Sequence, residues 1–386
     1  MKRIPKIILL AIIALSLLPG CQTLRVTDPE LARIDTVVND EINAGHIPGA
    51  VVLVAQSDTI LYHKAFGEAV AEPFRAPMRK ETVFDLASLT KPIATATAVM
   101  ILVDRHELEL DDHVADYLPA FAEGDKEEVQ IQHLLAHTSG LPAYTNANQL
   151  KTEFGDPCPE EVINKICSLD AMSAPGETFR YSCLGYITLA EIVEVVSGKD
   201  IATFSHDNLF KPLGMRNTRY NPPAGWTRNI AATEIVNDEV LRGRVHDPLA
   251  QLRDGISGNA GLFSNASDLY IFNRMLLKNG VWKGTQILSP ESAPKMITPQ
   301  SHGRAFGFDV LSAYSWLKGP YASDKAFSHS GYTGTSIVCD PETETQLIIL
   351  TNRAHPDDGG SVKTVREKLA EIVFSAGKSS TAAMQE

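Results

Sequence analysis

Cysteine is scarce in this chain of 386 residues, with five in all, and that excludes a fold stapled by disulfides. Setting Cys21 aside leaves Cys158, Cys167, Cys183 and Cys339, whose three alternative connectivities stay open; one of them includes a Cys158–Cys167 bridge across a short loop. Positive charge is also in short supply. Thirty-five Lys and Arg stand against 47 Asp and Glu, a net charge of −12, so nucleic acid is not an expected partner. Internal repeats and low-complexity linkers are missing, and no serine is flanked by glycine at both second neighbours, which removes the nucleophile elbow of α/β-hydrolases. His133 and His137 are spaced like zinc ligands on a helix, but Leu134 occupies the place of the metalloprotease glutamate, and a structural role is expected for both.

The one long apolar run among the first residues, Ile7 to Leu18, follows Lys2, Arg3 and Lys6 and precedes Pro19-Gly20-Cys21. It falls short of the roughly twenty residues that span a bilayer and has the layout of an export signal. Leu18-Pro19-Gly20-Cys21 resembles a bacterial lipoprotein cleavage site, with Cys21 as the lipidated residue and Pro19 an unusual occupant of its position. Gln22 follows where an aspartate is absent, as in outer-membrane lipoproteins. The expectation is a signal peptide over 1–20, an anchor linker over 21–28, and a protein held in the bacterial periplasm by a lipid on Cys21, at the outer membrane. The rival is an ordinary signal peptide with a chance cysteine. Cleavage removes three positive charges and takes the net charge of −12 to −15.

What remains is long enough for one large domain, 29–376, before a flexible tail at 377–386. Asp28-Pro29 opens a helical pattern to about Ala44. Gly49–Ala55 and Thr59–Ala65 are β-rich runs joined by Gln56-Ser57-Asp58 and read as a hairpin. Two more strands are expected over 335–340 and 345–352, then a helix over 361–374. The predicted fold is α+β: an antiparallel sheet built from both chain ends with flanking helices (29–87 and 302–376) and a mainly helical lobe (88–301). A cleft between the lobes is the natural place for a site.

Ser88 and Lys91, in Ala87-Ser88-Leu89-Thr90-Lys91-Pro92, stand where a strand-like run gives way to a long apolar helix. One turn separates them, which puts hydroxyl and amine on one face, where a lysine kept neutral can withdraw the serine proton. Spacing alone is weak, since Ser292, Ser315 and Ser375 also precede a lysine by three. Only Ser88 opens a segment, Ile93 to Val103, that is apolar or small on every face.

Two further motifs follow in order, Tyr181-Ser182-Cys183 and His329-Ser330-Gly331. With Ser88-Leu89-Thr90-Lys91 they look like the S-x-x-K, Y-x-N and K-T-G elements of serine β-lactamases and penicillin-binding proteins. The resemblance extends to His133–Leu141, Gly258–Ser264 and Gly334-Thr335 and is similar to the class C branch, which also holds carboxylesterases and D-alanyl-D-alanine carboxypeptidases. It implies a β-lactamase/transpeptidase-like fold, Ser88 as acylated nucleophile, Lys91 as its proton partner, and Tyr181 as a second acid/base. It also implies an oxyanion hole from the backbone N–H groups of Ser88 and Tyr332, with Cys183, His329, Ser330 and Gly331 facing the substrate, and no metal or cofactor.

Two departures bear on substrate. Cys183 stands where relatives have asparagine and offers no amide donor to a peptide carbonyl. His329 replaces a lysine and, with an ordinary pKa of about 6.5, would charge only on acidification and then hold anionic substrates more tightly. The expected partner is a small ester or a peptidoglycan stem peptide. The alternatives are a true β-lactamase, which both departures oppose, and a muropeptide-binding lipoprotein without catalysis, which the intact Ser88, Lys91 and Tyr181 oppose.

Overall fold

The computed structural model describes residues 28–382. The segments expected as export signal and anchor linker, including Cys21, lie outside the described residues up to residue 27, as do residues 383–386. Helix α1 (Asp28–Asn43) leads into strands β1 (Gly49–Gln56) and β2 (Thr59–Val70), the expected hairpin, and β2 pairs with a short β3 (Ala76–Pro77). Near the other end come β7 (Phe327–Ser330), β8 (Ser336–Asp340) and β9 (Thr345–Thr351), then α5 (Lys363–Ala382). The six strands form one antiparallel sheet in the order β7-β8-β9-β1-β2-β3, so β1 joins the two chain ends by pairing with β9. The last helix runs past the expected end at 374 and covers 377–382 of the segment read as tail.

Every residue of β1 is buried, because both faces of the sheet are covered. Alternation along the strand divides the core. Ala50, Val52 and Val54 meet Leu31, Ile34 and Val38 of α1 and Val365, Leu369 and Val373 of α5. Val51, Leu53 and Ala55 point the other way, into the larger core shared with the helical lobe.

In that lobe the segment after Ser88 departs from a regular α-helix. It begins as a 3₁₀ turn, Ala87–Leu89, widens to a π-helix, Lys91–Ala96, and becomes α only at α2 (Thr97–Asp104). Pro92, which lacks an N–H, falls inside the π stretch, where the regular helical ladder is already interrupted. Burial is as expected: Lys91 through Leu102 are all covered. Cys158 and Cys167 form no disulfide and stand at opposite ends of the helix Pro159–Cys167. Nine residues of helix separate them by about 13 Å, well beyond what a disulfide tolerates. The short loop assumed for that bridge is a helix.

Candidate active site

Strand β4 (Phe84–Asp85) is anchored by β6 (Leu262–Ser264), which also pairs with β5 (Arg219–Tyr220), and it delivers the chain to Ser88 through a strained turn. Ala87 adopts φ +46°, a left-handed conformation that a residue with a Cβ avoids. Asp85, 1% exposed, holds that turn: its carboxylate accepts the Ala87 N–H at 2.9 Å and the His246 N–H at 2.7 Å. Burial pushes the Asp85 carboxyl up, against the pull of those two N–H groups.

Ser88 is thereby turned toward the cleft, half-buried, with Lys91 beneath it. Lys91 is fully buried and donates from Nζ to Ser88 Oγ at 3.0 Å and to the Asn259 carbonyl at 3.0 Å. The expected serine–lysine pair is formed. Burial opposes the Lys91 charge, but Cys183, Tyr181 and Asp247 favour it, and its pKa moves up. Burial also raises the Tyr181 phenol and the Cys183 thiol, against the pull of Lys91. The upward direction at Lys91 runs against the expectation of a lysine kept neutral beside Ser88.

Tyr181 lies within hydrogen-bonding reach of Ser88 and Lys91. Its ring packs on His137 at 4.4 Å between centroids, with the Arg304 guanidinium 6.0 Å away. Arg304 is itself buried and paired with Asp309. Ser182 caps α3 (Cys183–Ser197) through its hydroxyl and donates its N–H to His137 Nδ1 at 3.0 Å. His133 Nδ1 accepts a different N–H, that of Gln130, at 3.1 Å. Each histidine thus serves the backbone, and among the described residues no group of three or more His, Cys, Asp or Glu could hold a metal ion. Cys183 opens α3 with its thiol against Lys91 and the Asn259 side chain.

The third motif ends β7. His329 pairs across to Ile337 and is 2% exposed, its ring 6.1 Å from that of Tyr181, and the Ser330 backbone offers its ring nitrogens no more than a poorly aligned hydrogen bond. Burial first, then Arg304 and Lys91, push its pKa well below the ordinary histidine value. The expected gain of charge on mild acidification is therefore corrected: His329 stays neutral. Ser330 pairs with Ser336 at the strand end, half-buried.

Gly331 meets the nucleophile turn so closely that a Cβ there would sit 2.3 Å from the Leu86 carbonyl. Two threonines staple the same junction, Thr333 Oγ1 donating to Asp85 O at 2.8 Å and Thr335 Oγ1 to Leu86 O at 3.0 Å. The Ser88 and Tyr332 peptides thus belong to two segments tied to each other. Tyr332, 55% exposed, is held between the His246 ring at 5.5 Å and the Arg353 guanidinium at 4.3 Å. Sequence reasoning missed Asp85, Asn259, Thr333, Arg304 and Arg353. Asn259 lay inside the Gly258–Ser264 stretch; the others carried no local signal.

The fold and this constellation define a serine hydrolase of the β-lactamase and penicillin-binding protein superfamily. Residues 34–371 match the beta-lactamase family profile, and the chain belongs to that family. It is 31% identical over 370 residues to the N-acetylmuramyl-L-alanine amidase of Bacillus subtilis (strain 168), covering 87% of this chain and 84% of that one. It is 28% identical over 362 residues to a putative D-alanyl-D-alanine carboxypeptidase of Escherichia coli (strain K12), covering 84% and 82%. Among solved structures it is similar to EstCE1, a hydrolase with promiscuous acyltransferase activity, with TM-score 0.73, 27% identity, and coverage of 91% of this chain and 100% of that one.

Proposed function

We propose that the protein hydrolyses peptidoglycan-derived peptides through an acyl-enzyme on Ser88, as a periplasmic enzyme anchored by a lipid on Cys21. The observation that carries the chemistry is the contact of Lys91 Nζ with Ser88 Oγ beside the Tyr181 phenol. Ser88 Oγ attacks the substrate carbonyl carbon; its proton passes to the Tyr181 oxygen while Tyr181 gives its own proton to the leaving group as the scissile bond breaks. A protonated Lys91 stabilises negative charge on both oxygens while the proton moves between them. Deacylation repeats the relay with water in place of the leaving group. The N–H groups of Ser88 and Tyr332 receive the oxyanion.

The peptidoglycan assignment rests on the amidase and carboxypeptidase relatives, and the anchor on the pattern of residues 1–22. A neutral His329 and the thiol of Cys183 favour a second reading, hydrolysis of uncharged esters, because neither supplies the cation or amide donor that an anionic peptide would use. Intact-mass measurement with a fluorophosphonate, followed by purified muropeptides and simple esters, decides. The expected result is a single adduct on Ser88, lost in Ser88→Ala, and muropeptide cleavage several orders of magnitude slower in that variant. Labelling elsewhere with Ser88 untouched overturns the acyl-enzyme, and turnover of esters alone overturns the peptidoglycan assignment.

A further inference from the structure

The Tyr332 N–H belongs to the same peptide unit as the Gly331 carbonyl, and in a trans peptide the two point in opposite directions. That carbonyl is not left to solvent. Arg366 Nη2 donates to it at 3.1 Å and to the Thr335 carbonyl at 2.8 Å. Arg366 comes from α5, far from every motif in the sequence. Arginine is ordinarily matched with a carboxylate. Here burial and the neighbouring Arg353 are what act on the guanidinium, drawing its pKa down to about 10, so it stays a cation at neutral pH. Its Nε is buried with no hydrogen-bond partner. The positive charge is directed at two backbone carbonyls.

We propose that Arg366 is a positioning residue of the oxyanion hole, orienting and polarising the Gly331–Tyr332 peptide so that the Tyr332 N–H becomes a stronger donor to the anionic oxygen. A charge-assisted bond to a peptide carbonyl withdraws electron density from the amide and strengthens the bond made by its N–H, the cooperative effect expected along a chain of hydrogen bonds. The peptides on either side are also braced. Gly331 N–H donates to the Thr335 carbonyl at 2.7 Å, and Arg353 Nε donates to the Tyr332 carbonyl at 2.8 Å, so reorganisation during reaction is small. The inference rests on Ser88 as nucleophile and Tyr332 N–H as oxyanion donor. It adds a residue that acts on the reaction without touching the substrate.

Arg366→Met removes the charge, and Arg366→Lys keeps a charge of similar reach but loses the planar fork. Both are compared with the wild type in thermal stability, in kcat and KM for an uncharged ester, and in affinity for a boronic acid whose tetrahedral adduct places an oxygen in the hole. The carbonyl stretch of a slowly deacylating acyl-enzyme is read by infrared difference spectroscopy. For Arg366→Met the boronate should bind about tenfold more weakly and kcat should fall by a similar factor at constant KM, less than the loss of a direct donor. The carbonyl stretch should move to higher frequency, with Arg366→Lys between. A lower Tm with unchanged kcat, boronate affinity and carbonyl frequency assigns Arg366 a structural role and overturns the proposal. A rise in KM confined to carboxylate-bearing substrates overturns it as well, in favour of substrate binding. Should Arg366→Met fail to fold, Arg366→Lys carries the test, and wild-type values for it in all three readouts count against the proposal. No boronate or phosphonate adduct on wild-type Ser88 would bring down the acyl-enzyme reading along with this one.

Discussion

Discrimination between an anionic substrate and its uncharged counterpart should not vary with pH in this enzyme, and the reason lies in His329. An imidazole with a pKa of about 6.5 passes from roughly 3% to roughly 97% protonated between pH 8 and pH 5. If such a group read a substrate carboxylate, preference for the anion would change by up to about thirtyfold across that range. His329 is 2% exposed, with Arg304, Lys91 and Arg366 as the charges that disfavour its protonation, and burial first, then those charges, push its pKa well below the ordinary value. A proton on it would create a buried cation near three others, with no well-aligned hydrogen bond to satisfy it. The assay is kcat/KM from pH 5.5 to 9 for an ester bearing a free carboxylate and for its methyl ester. The ratio within the pair cancels the protonation of Lys91 and Tyr181, and a change of less than about twofold is expected because one protonation state of His329 prevails. A ratio that rises severalfold on acidification and loses that rise in His329→Gln refutes the reasoning and returns His329 to carboxylate recognition.

Acid should destabilise the fold through His137 and His329, which are both held neutral by burial first and whose pKa values lie well below that of an unfolded histidine. The unfolded chain takes up those protons first, so the stability is present above pH 6.5 and lost as pH falls, by at most about 2 kcal/mol per histidine at pH 5; urea midpoints should show it, with a shallower pH dependence in His329→Gln. Thr333→Val deletes the hydroxyl that bonds the Asp85 carbonyl, and should cost about 1–3 kcal/mol of stability with a lower kcat, both restored in Thr333→Ser; an unchanged kcat would separate the staple from catalysis. Cys21→Ser should move the protein from the membrane fraction to the soluble periplasm or leave the precursor uncleaved, whereas unchanged fractionation and mature mass would mark an ordinary export signal.

The sheet was legible because β-rich runs at the two ends, Gly49–Ala55 and the segments near 335–340 and 345–352, are buried on both faces and bounded by turn residues. The serine–lysine pair was legible because one helical turn fixes their separation whether the turn is 3₁₀, π or α. What escaped was set by tertiary packing. The left-handed Ala87 depends on Asp85, itself held by His246 and Thr333, and the neutrality of His329 on burial and Arg304, and those partners come from positions distant in the sequence. The helix between Cys158 and Cys167 was missed although Pro159 sits at its first helical position, where the missing N–H costs nothing.

These long-range contacts share one direction of effect. Ala87 is held in a conformation that its side chain disfavours by roughly 1–3 kcal/mol, and the Asp85 carboxylate and the Thr333 and Thr335 hydroxyls all bond to the backbone of that one turn. A turn that relaxed to an ordinary conformation would carry Ser88 and its N–H away from the Tyr332 peptide, since the two segments meet only where Gly331 allows close approach to Leu86. The buried polar groups around Ser88 are therefore better explained by geometry than by stability: they fix two peptide N–H groups relative to one hydroxyl before substrate arrives. Lys91 joins this arrangement through the Asn259 carbonyl, which ties the amine to the bend leading into β6 and hence to the same β4–β6 pairing that positions Asp85.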